Sequence, residues 1–338
     1  MAEEQRKIPE TFSVEINASV ALKLAQIGQK HYPGTSSGPL YGFDDQEKKV
    51  INISHIINFP SQHTSGDDVF NTKSSNAKFQ ADFQSKLNDS KIGVKLLGWF
   101  LTATNGKQNR QTVVESMLRL QKKFLDEEKS TLPVIFVIYD PSKSADSLLS
   151  MQVLKLSGVF VNTWNSETRF IAKNLIDNRL TYRNIFEEVP SKIRNSNLTD
   201  LKIQELDVNS EYGNELELTS NYLKTTTQTS EQLIDAIDNF NHNLGNFNYF
   251  QRSLSRELTK INQWKLRAKQ EHINHLKTDP AAKEPELDWK EHYKLPQVPS
   301  KYEHLVSGGL LNSLCNNVDT TGSVEHAKTA GIQKSLEL

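Results

Sequence analysis

A chain of 338 residues with a formal net charge of −1 is not built as a whole to hold nucleic acid, and its length predicts about two domains. Hydrophobic residues make up 36%, few for a compact globule, so long exposed helices or surfaces buried only in a complex are expected. One cysteine, Cys315, excludes an internal disulfide, and no apolar run approaches the ~20 residues that a membrane helix needs.

Met1 to Glu10 alternates charges and lacks the apolar segment of a signal peptide, so a soluble, cytoplasmic protein is expected. Val14 and Ile16 alternate with polar residues and predict a short first strand. Asn17 is a predicted helix cap, and Val20, Leu24 and Ile27 follow at helical spacing until Tyr32-Pro33-Gly34 interrupts them. Leu40 to Phe43 and Val50 to Phe59 read as strands joined by a polar turn, Asp44 to Lys49. A loop from Ser61 to Thr72 leads into a polar helix from Asn71 to Leu87. Val94 to Leu101 is an apolar run, a buried strand whose end delivers side chains to a surface. Asn105-Gly106 predicts a turn, and Thr112, Val113, Met117, Leu120 and Phe124 give the next helix an apolar face. Leu132 to Tyr139 is the clearest strand, ended by Asp140-Pro141, and Leu148 to Leu156 alternates as its antiparallel neighbour would. This order predicts an α/β (α+β) fold, a mixed sheet with helices packed on it.

The stretch from Gly98 to Glu115 resembles the metal-binding segment of the MPN (JAMM) fold. Catalytic members read Gly-Trp-Tyr-His-Ser-His-Pro there, followed by Ser-x-x-Asp. Gly98 and Trp99 match, and Phe100 stands for the tyrosine. Leu101 and Ala103 occupy the two histidine positions, Thr104 the proline, Thr112 the serine and Glu115 the aspartate. The family's general base lies in E-x-x-G-x-L-x-G, which matches Thr35-Ser-Ser-Gly38-Pro-Leu40-Tyr-Gly42 with Thr35 in place of the glutamate. A hydrolytic zinc needs about three N, O or S donors and an open position. Leu101 and the Ala103 side chain offer no lone pair, and a hydroxyl at Thr35 cannot act as the carboxylate base. No metal, no cofactor and no catalysis are therefore expected, with a metallo-isopeptidase as the remote alternative.

From Thr168 the pattern turns helical, and then Phe186-Glu-Glu-Val-Pro190-Ser-Lys-Ile-Arg-Asn195-Ser-Asn-Leu198 appears. This string resembles a signature of one non-catalytic MPN family, the h subunit of eukaryotic translation initiation factor 3. Its Glu187 and Glu188 themselves read as two solvated carboxylates before a proline-bounded strand. Farther on, Leu233, Ile237, Phe240, Leu244, Phe247, Gln251, Leu254, Leu258, Ile261, Lys265 and Ala268 step alternately by four and three. That is an amphipathic helix in need of a partner, locally weakened at Gly245 by about 1 kcal/mol relative to alanine. A helix packed inside the same subunit is one reading. The few other apolar faces nearby, Leu216 to Leu223 and Tyr302 to Val318, lead to the expectation that other chains bury part of the seam. Four prolines between Thr278 and Ser300 mark a linker. Lys301 to Val318 resumes a helical pattern, and Leu305-Val-x-Gly-x-Leu310-Leu-Asn-x-Leu-Cys-x-Asn resembles the last helix of the same subunit. Gly322 to Leu338 reads as a weakly ordered tail.

Between Arg252 and Lys277 seven basic residues face two acidic ones, and Arg252, Arg256, Lys260 and Lys269 are candidate contacts for RNA phosphates. A charged solvent face is the plainer account of them. Apart from Trp264, no aromatic ring accompanies these positions to stack on bases. His272 and His275 share a helix face but lack further metal ligands at a convincing spacing, and neither a P-loop nor a nucleophile elbow occurs. The predicted organisation is an MPN domain over 11–195 with a degenerate metal site and a helical region over 196–277. A linker over 278–300 and a final helix with its tail over 301–338 complete it. The resemblance implies a scaffold subunit of the initiation factor, paired with a second MPN subunit (f-type) and supporting engagement of the small ribosomal subunit. Partner contacts are expected from Leu233, Ile237, Phe240, Leu244, Phe247, Leu254, Leu258 and Ile261. A scaffold subunit of the proteasome lid or signalosome is the alternative.

Overall fold

A computed structural model describes residues 12–32, 34–45, 49–59, 69–70, 74–89, 93–103, 106–128, 133–142, 149–166, 170–209, 222–278, 289 and 292–336. Most of the loop assigned to Ser61 to Thr72, the turn residue Asn105, Thr104, His63 and the N-terminal ten residues lie outside them. So do the side chains of His272 and His275 and most of Leu216 to Leu223.

Alternation at Val14 and Ile16 becomes β1 (Ser13–Asn17), with both apolar side chains fully buried. α1 (Ala18–His31) follows directly. Asn17 takes the extended N-cap conformation, but its side chain makes no cap bond, unlike the cap predicted for it. β2 (Ser36–Asp45) extends beyond Leu40 to Phe43 at both ends and pairs antiparallel with β3 (Val50–Ile56) and β4 (Lys95–Thr102). The polar helix α2 (Ser74–Asp89) precedes β4, and α3 (Gln111–Glu128) follows it. β4 lies parallel to β5 (Ile135–Tyr139), which pairs antiparallel with β6 (Met151–Leu156), as the alternation there predicts. At Gly98 β4 and β5 approach so closely that a Cβ would strike the Ile135 carbonyl, so the Gly-Trp frame keeps its glycine for backbone reasons.

Side chains of β4 alternate between the two faces, with a shift of register against β2 at Leu97 that reverses the parity on either side of it. Leu97 and Phe100 join Val20, Leu24 and Ile27 of α1 in one apolar cluster. Leu96, Trp99 and Leu101 join Val113, Val114 and Met117 of α3 in the other. The mixed sheet with helices on it is the architecture the sequence predicts.

After the short helices α4 (Gly158–Asn165) and α5 (Ala172–Asp177) come β7 (Phe186–Glu188) and β8 (Ser191–Arg194). The eight strands run β7-β6-β5-β4-β2-β3-β1-β8. The first and last in that order are separated in the chain by Val189 and Pro190 alone, so one passage of chain joins both ends of the sheet. Val189 N–H donates to the Val153 carbonyl at 2.9 Å, and Val14 N–H donates to the Pro190 carbonyl at 2.9 Å. Proline, which has no N–H to give, sits at the point where the passage changes partner. The identifying string is thus the closing strand, supplying both terminal strands of the sheet, β7 beside β6 and β8 beside β1. Glu187 is not simply a solvated carboxylate: it pairs with the Lys155 ammonium at 2.8 Å. Burial raises its pKa, but hydrogen bonds from Lys155 and Ser157 outweigh that and hold it below the usual range.

Beyond α6 (Asn197–Asn209) the chain forms α7 (Tyr222–Thr278), one helix of 57 residues despite Gly245. The described part of the linker, 292–300, is not helical, as its prolines require. α8 (Tyr302–Leu336) then runs past Gly322, where a weakly ordered tail was predicted. No proline stops it, and the hydroxyls of Thr321, Ser323 and Thr329 bond to carbonyls three or four residues back. The start of α8 is anchored on the sheet domain. Lys301 N–H donates to the Phe170 carbonyl, and the Tyr302 ring sits among Phe160, Trp164 and Phe170 at 5.1–6.4 Å. Among the described residues no helix is long and apolar enough to cross a membrane.

Candidate functional site: a filled metal frame and a half-covered helix seam

The end of β4 brings the frame positions together, but as core. Leu101 and Ala103 are each 1% exposed and pack in the cluster under α3. Between them, the Thr102 hydroxyl accepts from Ser36 N–H at 2.7 Å and donates to the Ser36 carbonyl at 3.2 Å. Ser37 donates to the Val69 carbonyl at 2.9 Å. These bonds tie β2 to β4 and to the chain beyond β3, using hydroxyls that are almost wholly buried. Thr35 is half-buried just ahead of β2. Thr112 is exposed on the first turn of α3, and Glu115 accepts from Gln111 at 3.0 Å with Arg119 at 3.8 Å.

A zinc of the kind the MPN resemblance implies does not fit this donor set. Two positions are hydrocarbon, the base position is a hydroxyl, and the one carboxylate is engaged on its own helix. Among the described residues no three His, Cys, Asp or Glu side chains cluster to hold a metal ion. α8 lies over the same region: it packs on the turn Lys107–Asn109 and on α3. Tyr302 is buried there with its hydroxyl unbonded among the described residues. Burial and then the Glu115 charge raise its pKa far above the usual phenol value.

The heptad residues of α7 divide between two environments. Leu233, Phe240, Phe247 and Leu254 are half-buried and Ile261 is 3% exposed. Phe240 stacks on the His304 ring at 4.5 Å, and the Lys301 ammonium lies 4.6 Å from the Phe247 ring centre. Farther along, Trp264 meets His292 and Tyr293 at 5.5 and 6.3 Å, and Lys265 lies over Trp289. α8 and the linker therefore cover this row from within the chain. The alternate row stays outward: Ile237 and Leu244 are 40% exposed and Leu258 44%. An open groove of about 430 Å³ runs beside Leu244, walled by Phe247, Pro299, Lys301 and His304. The inward role of α8 was missed from sequence; its signal was Tyr302, an aromatic residue placed directly after the proline-rich linker.

Arg252, Arg256, Lys260 and Lys269 are all exposed on α7, with Lys260 bonded to Glu257 at 2.8 Å. Arg267, not among the sequence candidates, is exposed as well.

The family profile for the C-terminal region of eIF3h matches residues 144–334. The H subunit of eukaryotic translation initiation factor 3 from Yarrowia lipolytica is 28% identical over 350 aligned residues, covering 96% of this chain and 99% of the relative. The protein of the same name from Neurospora crassa is 27% identical, covering 99% of both. A solution structure of a Desulfitobacterium hafniense protein aligns over 54% of this chain and 94% of that one at 9% identity, with a TM-score of 0.35, too slight a likeness to inform the fold. The profile takes in the closing strand, the whole of α7 and nearly all of α8, more than half of the sequence. The chain belongs to the eIF3h family, with the MPN fold that this family implies.

Proposed function

We propose that the protein is a non-catalytic scaffold subunit of translation initiation factor 3, acting in the cytoplasm in the initiation of protein synthesis. It supports assembly of the factor and its binding to the small ribosomal subunit. The observation that carries this reading is the outward apolar row of α7. Ile237, Leu244 and Leu258 lie along some ~30 Å of one helix, a length suited to a second helix from another chain. Leu233, Phe240, Phe247, Leu254 and Ile261 support that row from beneath by holding α7 against α8 and the linker. The filled metal frame supports the absence of catalysis, because a fold can be kept for its surfaces after its chemistry is lost. The MPN domain pairs with a second, f-type MPN subunit.

The test is the composition of the native complex purified through this chain and analysed by mass spectrometry. Initiation-factor subunits with small-subunit ribosomal proteins are the expected result. Proteasome-lid or signalosome subunits in their place would overturn the proposal, as would release of a ubiquitin-like conjugate that a chelator abolishes.

A further inference from the structure

Charge on α7 is segregated along its length. The N-terminal half carries Glu231, Asp235 and Asp238 exposed, with no lysine or arginine from 225 to 251. Past that point the sign reverses. At about 100° per residue, Arg252, Arg256, Lys260 and Arg267 fall within about 80° of the helix circumference. Thr259, Gln263 and Gln270 fill the same sector, and all seven residues are exposed. Between Arg252 and Gln270 the sector itself holds no carboxylate and no apolar side chain; Leu266 and Glu271, both exposed, flank it, and the exposed Tyr249 continues it one turn before Arg252. Glu257 and Glu271 are spaced seven apart with Trp264, so they share its row, on the side that meets Tyr293. Leu258 points nearly opposite to the sector. Lys269 stands three turns from Leu258 on that apolar row, so Arg267 takes its place in the basic set.

We infer that this sector of α7 is a docking surface for the phosphate backbone of double-helical RNA. Four cations span about 22 Å of rigid helix, and one of them, Lys260, is paired with Glu257 at 2.8 Å. Three are arginines, whose fork geometry matches phosphate oxygens. The residues between them are amide and hydroxyl donors suited to phosphate and 2′-hydroxyl groups. A protein partner would require an apolar centre, which the sector lacks. Single-strand recognition would require a row of exposed stacking rings; Trp264 is turned inward, and Tyr249, one turn before Arg252, is a single exposed ring at the edge of the basic set. Backbone contact without base reading is what remains. The choice of RNA among polyphosphates rests on the reading of the chain as an initiation-factor subunit; the charge geometry stands apart from it.

The test is fluorescence anisotropy of the full chain with a labelled RNA duplex of about 20 base pairs across a potassium chloride series. Log affinity should fall linearly with log salt. The triple variant Arg252→Gln, Arg256→Gln, Arg267→Gln should bind at least about tenfold more weakly, with a slope flatter by about 2–3. The pair Asp235→Asn, Asp238→Asn on the same helix should leave the slope unchanged. A salt-independent affinity, or a triple variant with the wild-type slope, overturns the proposal. So does equal displacement of the duplex by polyglutamate of matched charge. Because the binding is read on the isolated chain, its failure is separate from the composition of the native complex.

Discussion

The Oγ of Ser313 in α8 occupies the space that a Cβ on Gly106 would need. Gly106 also has φ +74°, a conformation that L side chains rarely adopt. The loop after β4 and the final helix therefore meet through bare backbone, and the sheet domain and the helical tail are joined at this point as well as at Tyr302.

Gly106→Ala should loosen this junction. Strain at positive φ costs about 1 kcal/mol or more, and the contact with Ser313 must open besides. Hydrogen exchange should rise over 302–317 while β4 and β5 stay protected. Unchanged protection of α8 would show that its docking does not depend on this contact.

Thr102 stands between the two hydrocarbon positions of the former metal frame and serves both the N–H and the carbonyl of Ser36. Thr102→Val keeps the shape but leaves the buried Ser36 N–H without that acceptor, so a loss of about 1–3 kcal/mol is expected. Thr102→Ser should retain most of the stability. Denaturant midpoints of the two variants check this; equal midpoints would mean that the hydroxyl does not hold the strands.

His304 gives the α7–α8 packing a pH dependence. Burial, and then the nearby Lys301 charge, hold its imidazole below the ordinary value of 6.5 while it stacks on Phe240. A depressed folded pKa means that the unfolded chain takes up the proton more readily. The stabilisation is full above the ordinary value and is lost as pH falls from there through the folded pKa. Thermal midpoints of the wild type should decline from about pH 7.5 to about 5.5 more than those of His304→Phe, which keeps the stack without the charge. Parallel curves would rule out His304 as the cause.

The strands with continuous apolar runs were legible in the sequence because burial on both faces leaves a local signature: Val94 to Leu101 became β4 and Leu132 to Tyr139 became β5. The loss of the metal ligands was equally legible, since ligand chemistry is a property of residue type. Phe186 to Arg194 was not, because its charged residues and Pro190 hide its role. What makes it the closing strand is bonding to Val153 and Val14, set by partners far away in sequence. The heptad announced α7 but could not apportion its two rows, since that depends on Phe240 meeting His304 and on Tyr302 reaching Phe160 and Phe170. Nor did composition reveal that α8 continues to Leu336, because small residues such as Gly322 and Gly331 read as tail when nothing marks the helix end.

The division of the heptad makes a contrast between its rows. Leu244 and Leu258 are 40% and 44% exposed, so aspartate at either position meets water in the isolated chain and should change its stability by no more than about 0.5 kcal/mol. In an assembled bundle the same carboxylates would be buried without a partner, at a cost of several kcal/mol. Leu244→Asp, Leu258→Asp should therefore fail to co-purify with the other subunits while melting like the wild type. Ile261→Asp, buried against the chain's own residues, should lower the melting temperature of the isolated protein instead. Retention of the Leu244→Asp, Leu258→Asp chain in the full assembly would mean that the outward row is not the surface by which this protein is held.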